Sequence, residues 1–193
     1  VQGWYLGQET GNAIAKVLFG EINPGGKLPI TVPRNVGQVP LFYNKLDGGR
    51  PRRIYRSSPK PLFPFGYGLS YTAFQLENMK LENDHISPDG KTKLSVDIMN
   101  TGKVAGEEVV QLYIRAWGTE RIRPNKELRG FQRIYLEPGQ KKTITFEIGK
   151  EQLEYWNEQW LVEPGKYTLY IATDSSDEKL NLNHTDLSVS GKK

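Results

Sequence analysis

The sequence predicts a mainly β chain, a two-sheet sandwich that follows a short helix–strand segment. Three observations predict it. Apolar and polar residues alternate in four separate runs: Leu94, Val96 and Ile98; Val110, Leu112 and Ile114; Ile144, Phe146 and Ile148; Tyr167, Leu169 and Ile171. A period of two puts the apolar side chains on one face of a half-buried strand. Turn signals part the runs, at Pro88-Asp89-Gly90, Asn100-Thr101-Gly102, Pro138-Gly139 and Pro164-Gly165. Helical spacing is found upstream, at Ala13, Ile14, Val17 and Leu18.

Three zones follow in order. In residues 1–33, Thr10 and Asn12 stand near a helix start, and Gly20 follows the last apolar residue, where a left-handed cap favours glycine. NPGG at residues 23–26 is a turn, and residues 27–32 read as a strand that Pro29 makes an edge or an interrupted one. One helix and one strand cannot bury a core of their own, so this zone is expected to complete a larger α/β layer whose remainder lies elsewhere. Residues 34–72 are irregular and rich in Pro, Gly, Arg and Tyr, an interdomain strap. The strap ends in PLFPFGYGLSY, whose aromatics are expected to anchor it against a domain surface. Residues 73–193 hold the four runs, with further strands near 74–81, 128–136 and 182–189 and one helical turn within 150–156. About seven short antiparallel strands without cysteine suggest an immunoglobulin-like sandwich of the fibronectin type III kind.

Composition narrows the chemistry. There is no cysteine, which excludes disulfides, thiolate zinc sites and a cysteine nucleophile. The two histidines, His85 and His184, are far apart and read as solvated positions rather than metal ligands. The net charge of +4 is mild. Its densest part, Arg50, Arg52, Arg53, Arg56 and Lys60, lies among prolines and reads as a solvated loop rather than a nucleic-acid surface. No run approaches the roughly 18 apolar residues of a membrane span. The chain opens at Val1 on WYLGQETG, which reads as the middle of something longer.

Several ordered motifs carry a family resemblance. GWYLGQETGNAIAKVLFGEINPGGKLPITVPRNVGQVPLFYN resembles the end of the α/β sandwich domain of glycoside hydrolase family 3 β-glucosidases, of the bacterial periplasmic β-glucosidase/xylosidase type. PLFPFGYGLSYTAF resembles that family's bridge into its last domain, and NTGKVAGEEVVQLYI and KELRGFQRIYLEPGQKKTITFEI resemble its fibronectin type III-like domain. The resemblance covers essentially the whole chain. It implies a retaining mechanism acting on β-linked glucosides or oligosaccharides, without a cofactor, in a periplasmic or secreted enzyme. It also implies partners within the same enzyme: an N-terminal barrel with the nucleophilic Asp, and the rest of the α/β domain with the acid/base Glu. Retaining chemistry needs two carboxyl groups about 5–5.5 Å apart. No residue here maps onto either, so the chain alone is expected to be inactive.

Three sets of residues draw attention. Glu9, before the helix, has the type of a catalytic acid but reads as a helix N-terminal acid interacting with the dipole and nearby amides. Arg50, in the Gly48-Gly49-Arg50-Pro51 loop, resembles a family position near the pocket mouth and is the candidate for binding sugar hydroxyls. Trp117, Trp156 and Trp160 read as core or interdomain anchors, with a sugar platform as the alternative. The competing function is a non-catalytic carbohydrate-binding or adhesion sandwich. The helix–strand segment argues against it, because a free-standing module has no use for one.

Overall fold

A computed structural model of the chain describes residues 1–46 and 58–191. Helix α1 (Thr10–Leu18) opens the fold. Gly20 takes a positive φ of 79° just past it, the conformation for which glycine has no Cβ penalty. None of the residues of α1 is buried, and Leu18 and Phe19 face solvent. Residues 27–32 do not form the expected strand. A single antiparallel bridge joins Val32 to Phe63. Pro29 cannot donate to a ladder, so the pairing with the strap is confined to Leu28 and Val32.

The sandwich pairs two sheets. One has the order β1 (Phe74–Leu81), β3 (Thr92–Asn100), β6 (Lys141–Ile148). The other runs β2 (His85–Ile86), β10 (His184–Val189), β9 (Gly165–Ala172), β4 (Gly106–Ala116), β5 (Glu127–Leu136). All pairings are antiparallel except β2 with β10. The core is built from the alternating positions: Leu94, Val96, Ile98, Val110, Leu112, Ile114, Ile144, Phe146, Ile148, Tyr167, Leu169 and Ile171 are all buried. Burying each such side chain contributes about 1.5–3 kcal/mol, which makes the sandwich the stable body of the chain.

Beyond the seven expected strands there are short elements that alternation does not reveal. They are β2, the hairpin of β7 (Tyr155–Trp156) and β8 (Trp160–Leu161), and a helical turn α3 (Asp177–Leu180). The helical turn expected within 150–156 is α2 (Lys150–Leu153). Asn100, fully buried at the end of β3, ties the sandwich to the strap. Its amide donates to the carbonyls of Val104 (2.8 Å) and Leu136 (3.1 Å), and its carbonyl accepts from Thr72 Oγ1 (2.6 Å) and Gly102 N (3.1 Å).

The first sheet has an acid-sensitive pin. The Asp97 carboxylate accepts from Thr143 Oγ1 (2.6 Å), from Asn78 Nδ2 (2.9 Å) and from Lys141 Nζ (3.0 Å). These donors, Thr143 first, hold the Asp97 carboxyl at about 2, below its ordinary 3.8. A depressed carboxylate contributes stability above its unfolded value and loses it as pH falls through the folded value. Asp97→Asn is therefore expected to flatten the decline in urea midpoint between about pH 4 and about pH 2. An identical pH profile for wild type and variant counts against the pin.

Candidate functional site: the seam beneath the aromatic strap

The strap crosses between the α1 segment and the five-stranded sheet, and it is bonded to both. On one side, Gly66 N donates to Leu28 O and Leu28 N to Tyr67 O, each at 2.8 Å, while Leu62 N and Val32 N exchange with Val32 O and Phe63 O at 2.9 Å. On the other, Ser175 N donates to Phe65 O at 2.9 Å. Gln111, on the outward face of β4, is buried and donates to Gly66 O (3.2 Å) and Thr173 O (2.8 Å), while its Oε1 accepts from Tyr113 Oη (2.5 Å).

Glycine is required at two points by close approach. Gly66 has φ 79°, and a Cβ there would stand 2.2 Å from Gln111 Oε1. A Cβ on Gly68 would stand 2.3 Å from the backbone oxygen of Gly26. Both distances are below van der Waals contact, so the seam closes only on bare backbone.

Side chains complete the seam. Phe65 stacks on Tyr43 with centroids 4.2 Å apart and planes at 16°, and Tyr43 meets the edge of Tyr113 at 6.0 Å. With Leu128, Tyr170, Ala172 and Leu180 they form a second apolar cluster outside the sandwich core. Lys27 Nζ and Glu108 Oε1 pair at 2.5 Å, with side chains only 14% and 9% exposed. Asn23 donates to Ala105 O (2.9 Å) and accepts from Ser70 Oγ and Tyr71 N (both 2.8 Å). Tyr71 Oη donates to Val17 O at 2.5 Å. Of the four aromatics in residues 61–71, Phe65 packs with Tyr43 and Tyr113, Phe63 and Tyr67 stack on each other at 5.2 Å, and Tyr71 is half-exposed.

The sequence candidates fall in different places. Arg50 lies outside the described residues. Glu9 is the N-cap of α1 and accepts from Asn12 Nδ2 at 2.6 Å. It lines a shallow hollow with Leu6, Gly7, Gln8, Thr10 and Ala13, where it is the sole carboxylate. Two-carboxylate chemistry has no second member there. Among the described residues, no group of His, Asp or Glu is arranged to hold a metal ion. His85 and His184 are exposed, as expected. Trp156 and Trp160 are more than half exposed and so do not belong to the core of the described residues, while Trp117 is tied by its Nε1 to Thr168 Oγ1 at 2.9 Å. Lys27, Tyr43, Glu108 and Gln111 carry the seam without any sequence signal, since each has the character of an ordinary surface residue until its distant partner is known. The seam holds backbone and rings in place, and the hollow beside Tyr43 and Phe65 is lined by no carboxylate.

Comparison with known proteins places both sides of the seam. Residues 1–71 match the glycosyl hydrolase family 3 C-terminal domain, and residues 108–175 match the fibronectin type III-like domain. The chain belongs to glycosyl hydrolase family 3. It is 44% identical over 191 residues to the periplasmic beta-glucosidase of Salmonella typhimurium, with 93% of this chain and 25% of that protein covered. It is 45% identical over 185 residues to a beta-xylosidase of Formosa agariphila, covering 93% and 26%. Among solved structures, the Listeria innocua beta-glucosidase in complex with gluconolactone matches with a TM-score of 0.87 at 33% identity, covering 97% of this chain and 27% of that one. A beta-glucosidase of Erythrobacter marinus matches with the same TM-score at 43% identity, covering 93% and 24%. The chain thus spans about a quarter of the length of the family 3 relatives it matches. No helix among the described residues is long and apolar enough to cross a membrane.

Proposed function

We propose that this chain is the C-terminal part of a retaining β-glucosidase that removes terminal β-D-glucosyl residues from glycosides or oligosaccharides in the periplasm or outside the cell. The chain supports that reaction and does not perform it. The observation that carries this reading is the seam: buried ion pair, stacked rings and bare-backbone contacts bind the two family 3 segments into one body, while neither the hollow beside α1 nor the one beside Tyr43 holds a carboxyl pair. The nucleophilic Asp and the acid/base Glu belong to upstream domains, and the sandwich and strap brace the loop that carries Arg50 towards the pocket they form.

The test is a pair of assays on an aryl β-glucoside and an aryl β-xyloside. The 193-residue chain is expected to turn over neither. The same chain joined to its upstream coding sequence is expected to cleave the glucoside with retention and to prefer it to the xyloside. Turnover by the chain alone that disappears when Glu9 is replaced by Gln overturns the proposal, as does an inactive joined enzyme.

A further inference from the structure

The outer face of the β7–β8 hairpin carries two indoles that the described residues leave exposed. Trp156 and Trp160 are cross-strand partners, 59% and 56% exposed, with ring centroids 5.6 Å apart and planes at 71°. A cross-strand aromatic pair can serve only to staple its own hairpin, but this hairpin is held from its other face. Tyr155 is buried there, donates from Oη to Glu163 Oε1 at 2.8 Å and lies under the Arg123 guanidinium at 5.1 Å. Asn157 N donates to Gln159 O at 2.9 Å and closes the turn, with Glu158 held at a φ of 60°. A positive φ on a non-glycine residue carries a strain that persists only where the surroundings impose it.

The tip is also tied to the neighbouring loop. Arg121 Nε donates to Asn157 Oδ1, Asn157 Nδ2 donates to Glu120 Oε2 at 3.2 Å, and Glu120 N donates to both oxygens of Glu163 at 3.1 Å. Two large rings are therefore presented to water on a pre-ordered tip, which lowers the ordering cost of binding.

Charge selects the ligand. At the tip, Glu120 and Glu158 stand against Arg121, so there is no excess of positive charge, which disfavours phosphate- or carboxylate-bearing partners. The Glu120 carboxylate is already engaged with Asn157, which leaves little to hold a basic one. What remains is a ligand with apolar faces for the indoles and neutral hydroxyls for the exposed rim amide of Gln159, which is the chemistry of a sugar chain. The 71° between the rings gives no flat surface, so the ligand is a soluble, curved chain rather than a crystalline one. We propose that Trp156 and Trp160 form a docking platform for soluble β-linked glucan chains. The choice of β-glucan among sugars rests on the function proposed above.

The test titrates the 193-residue chain with laminarihexaose, read by indole fluorescence and calorimetry, with a thermal melt to check folding. Saturable binding is expected. Trp156→Ala and Trp160→Ala are each expected to weaken it about tenfold or more, as truncation of an aromatic hot spot does. A Trp156→Phe/Trp160→Phe double variant keeps the ring faces and is expected to stay within about threefold of wild type. A Trp156→Leu/Trp160→Leu variant keeps apolar bulk without a ring and is expected to lose binding. Absence of saturable binding overturns the platform. So does a Leu double variant that binds like wild type, polylysine binding in place of the glucan, or self-association that the Trp variants abolish. A joined enzyme that cleaves aryl β-glucosides while its chain ignores laminarihexaose overturns the platform alone. Glucan binding by a chain whose joined enzyme is inert on glucosides overturns the glucosidase reading alone.

Discussion

Lys27→Met is expected to release residues 23–33 from the sandwich while leaving the sandwich folded. The Lys27–Glu108 pair closes at 2.5 Å with both side chains largely shielded from water. Removing one partner of such a pair strands the other charge, at a cost of about 3–5 kcal/mol. Glu108 keeps one hydrogen bond from Val109 N at 2.7 Å, which places the expected cost at the lower end of that range. The chain can avoid the cost by opening the seam and letting water reach Glu108. The bond from Asn23 to Ala105 in the sandwich, and with it the two bonds by which Leu28 holds the strap, are then expected to open. Hydrogen exchange reads this directly: the Leu28 and Val32 amides should lose protection in Lys27→Met, and those of Leu112 and Ile171 should keep it. Adding Glu108→Leu removes the stranded charge and should restore most of the protection. Unchanged exchange at Leu28 in the single variant means that the pair does not hold the seam.

The sandwich was legible in the sequence because its information is local. Each of its four main strands declares its buried face by alternation, and all the residues so marked lie in the core. The seam was not legible because its information is relational. Lys27 and Glu108 lie 81 positions apart, and each has the character of a solvated charge until the other is in place. Gln111 follows the rule that polar residues of a strand face outward, yet outward at that point is beneath the strap. Alternation cannot report what covers the outer face of a sheet. The strand expected at residues 27–32 failed for a local reason: Pro29 left Leu28 and Val32 to bond with the strap singly. Trp156 and Trp160 were read as anchors because large aromatics are mostly buried. A strand pair of two residues each is too short for its period to show which face is outward.

Phe65 is where the strap's own contribution can be isolated. Its ring stacks on Tyr43, Tyr43 meets Tyr113, and its carbonyl accepts from Ser175 N, so one residue touches the strap, the chain before Arg50 and the sandwich. The ring is partly buried, and its loss is expected to cost about 2–3 kcal/mol of docking free energy. Because every 1.4 kcal/mol is a factor of ten, the ratio of docked to undocked strap should fall by roughly 30- to 150-fold. The sandwich core does not include Phe65, so the sandwich itself should melt as before. Made in the enzyme joined to its upstream domains, Phe65→Ala is expected to lower kcat/KM several-fold on an aryl β-glucoside and to enlarge the particle in scattering. Tyr43 is only three residues before Leu46, the last described residue on the way to Arg50 in the sequence. A loosened Tyr43 should therefore disturb substrate positioning more than substrate-independent stability. Phe65→Leu, which keeps apolar bulk without the stacked ring, should fall between wild type and the alanine variant on both readouts. If Phe65→Ala changes neither the scattering profile nor kcat/KM, the strap is a linker and the bracing role assigned to the seam is wrong.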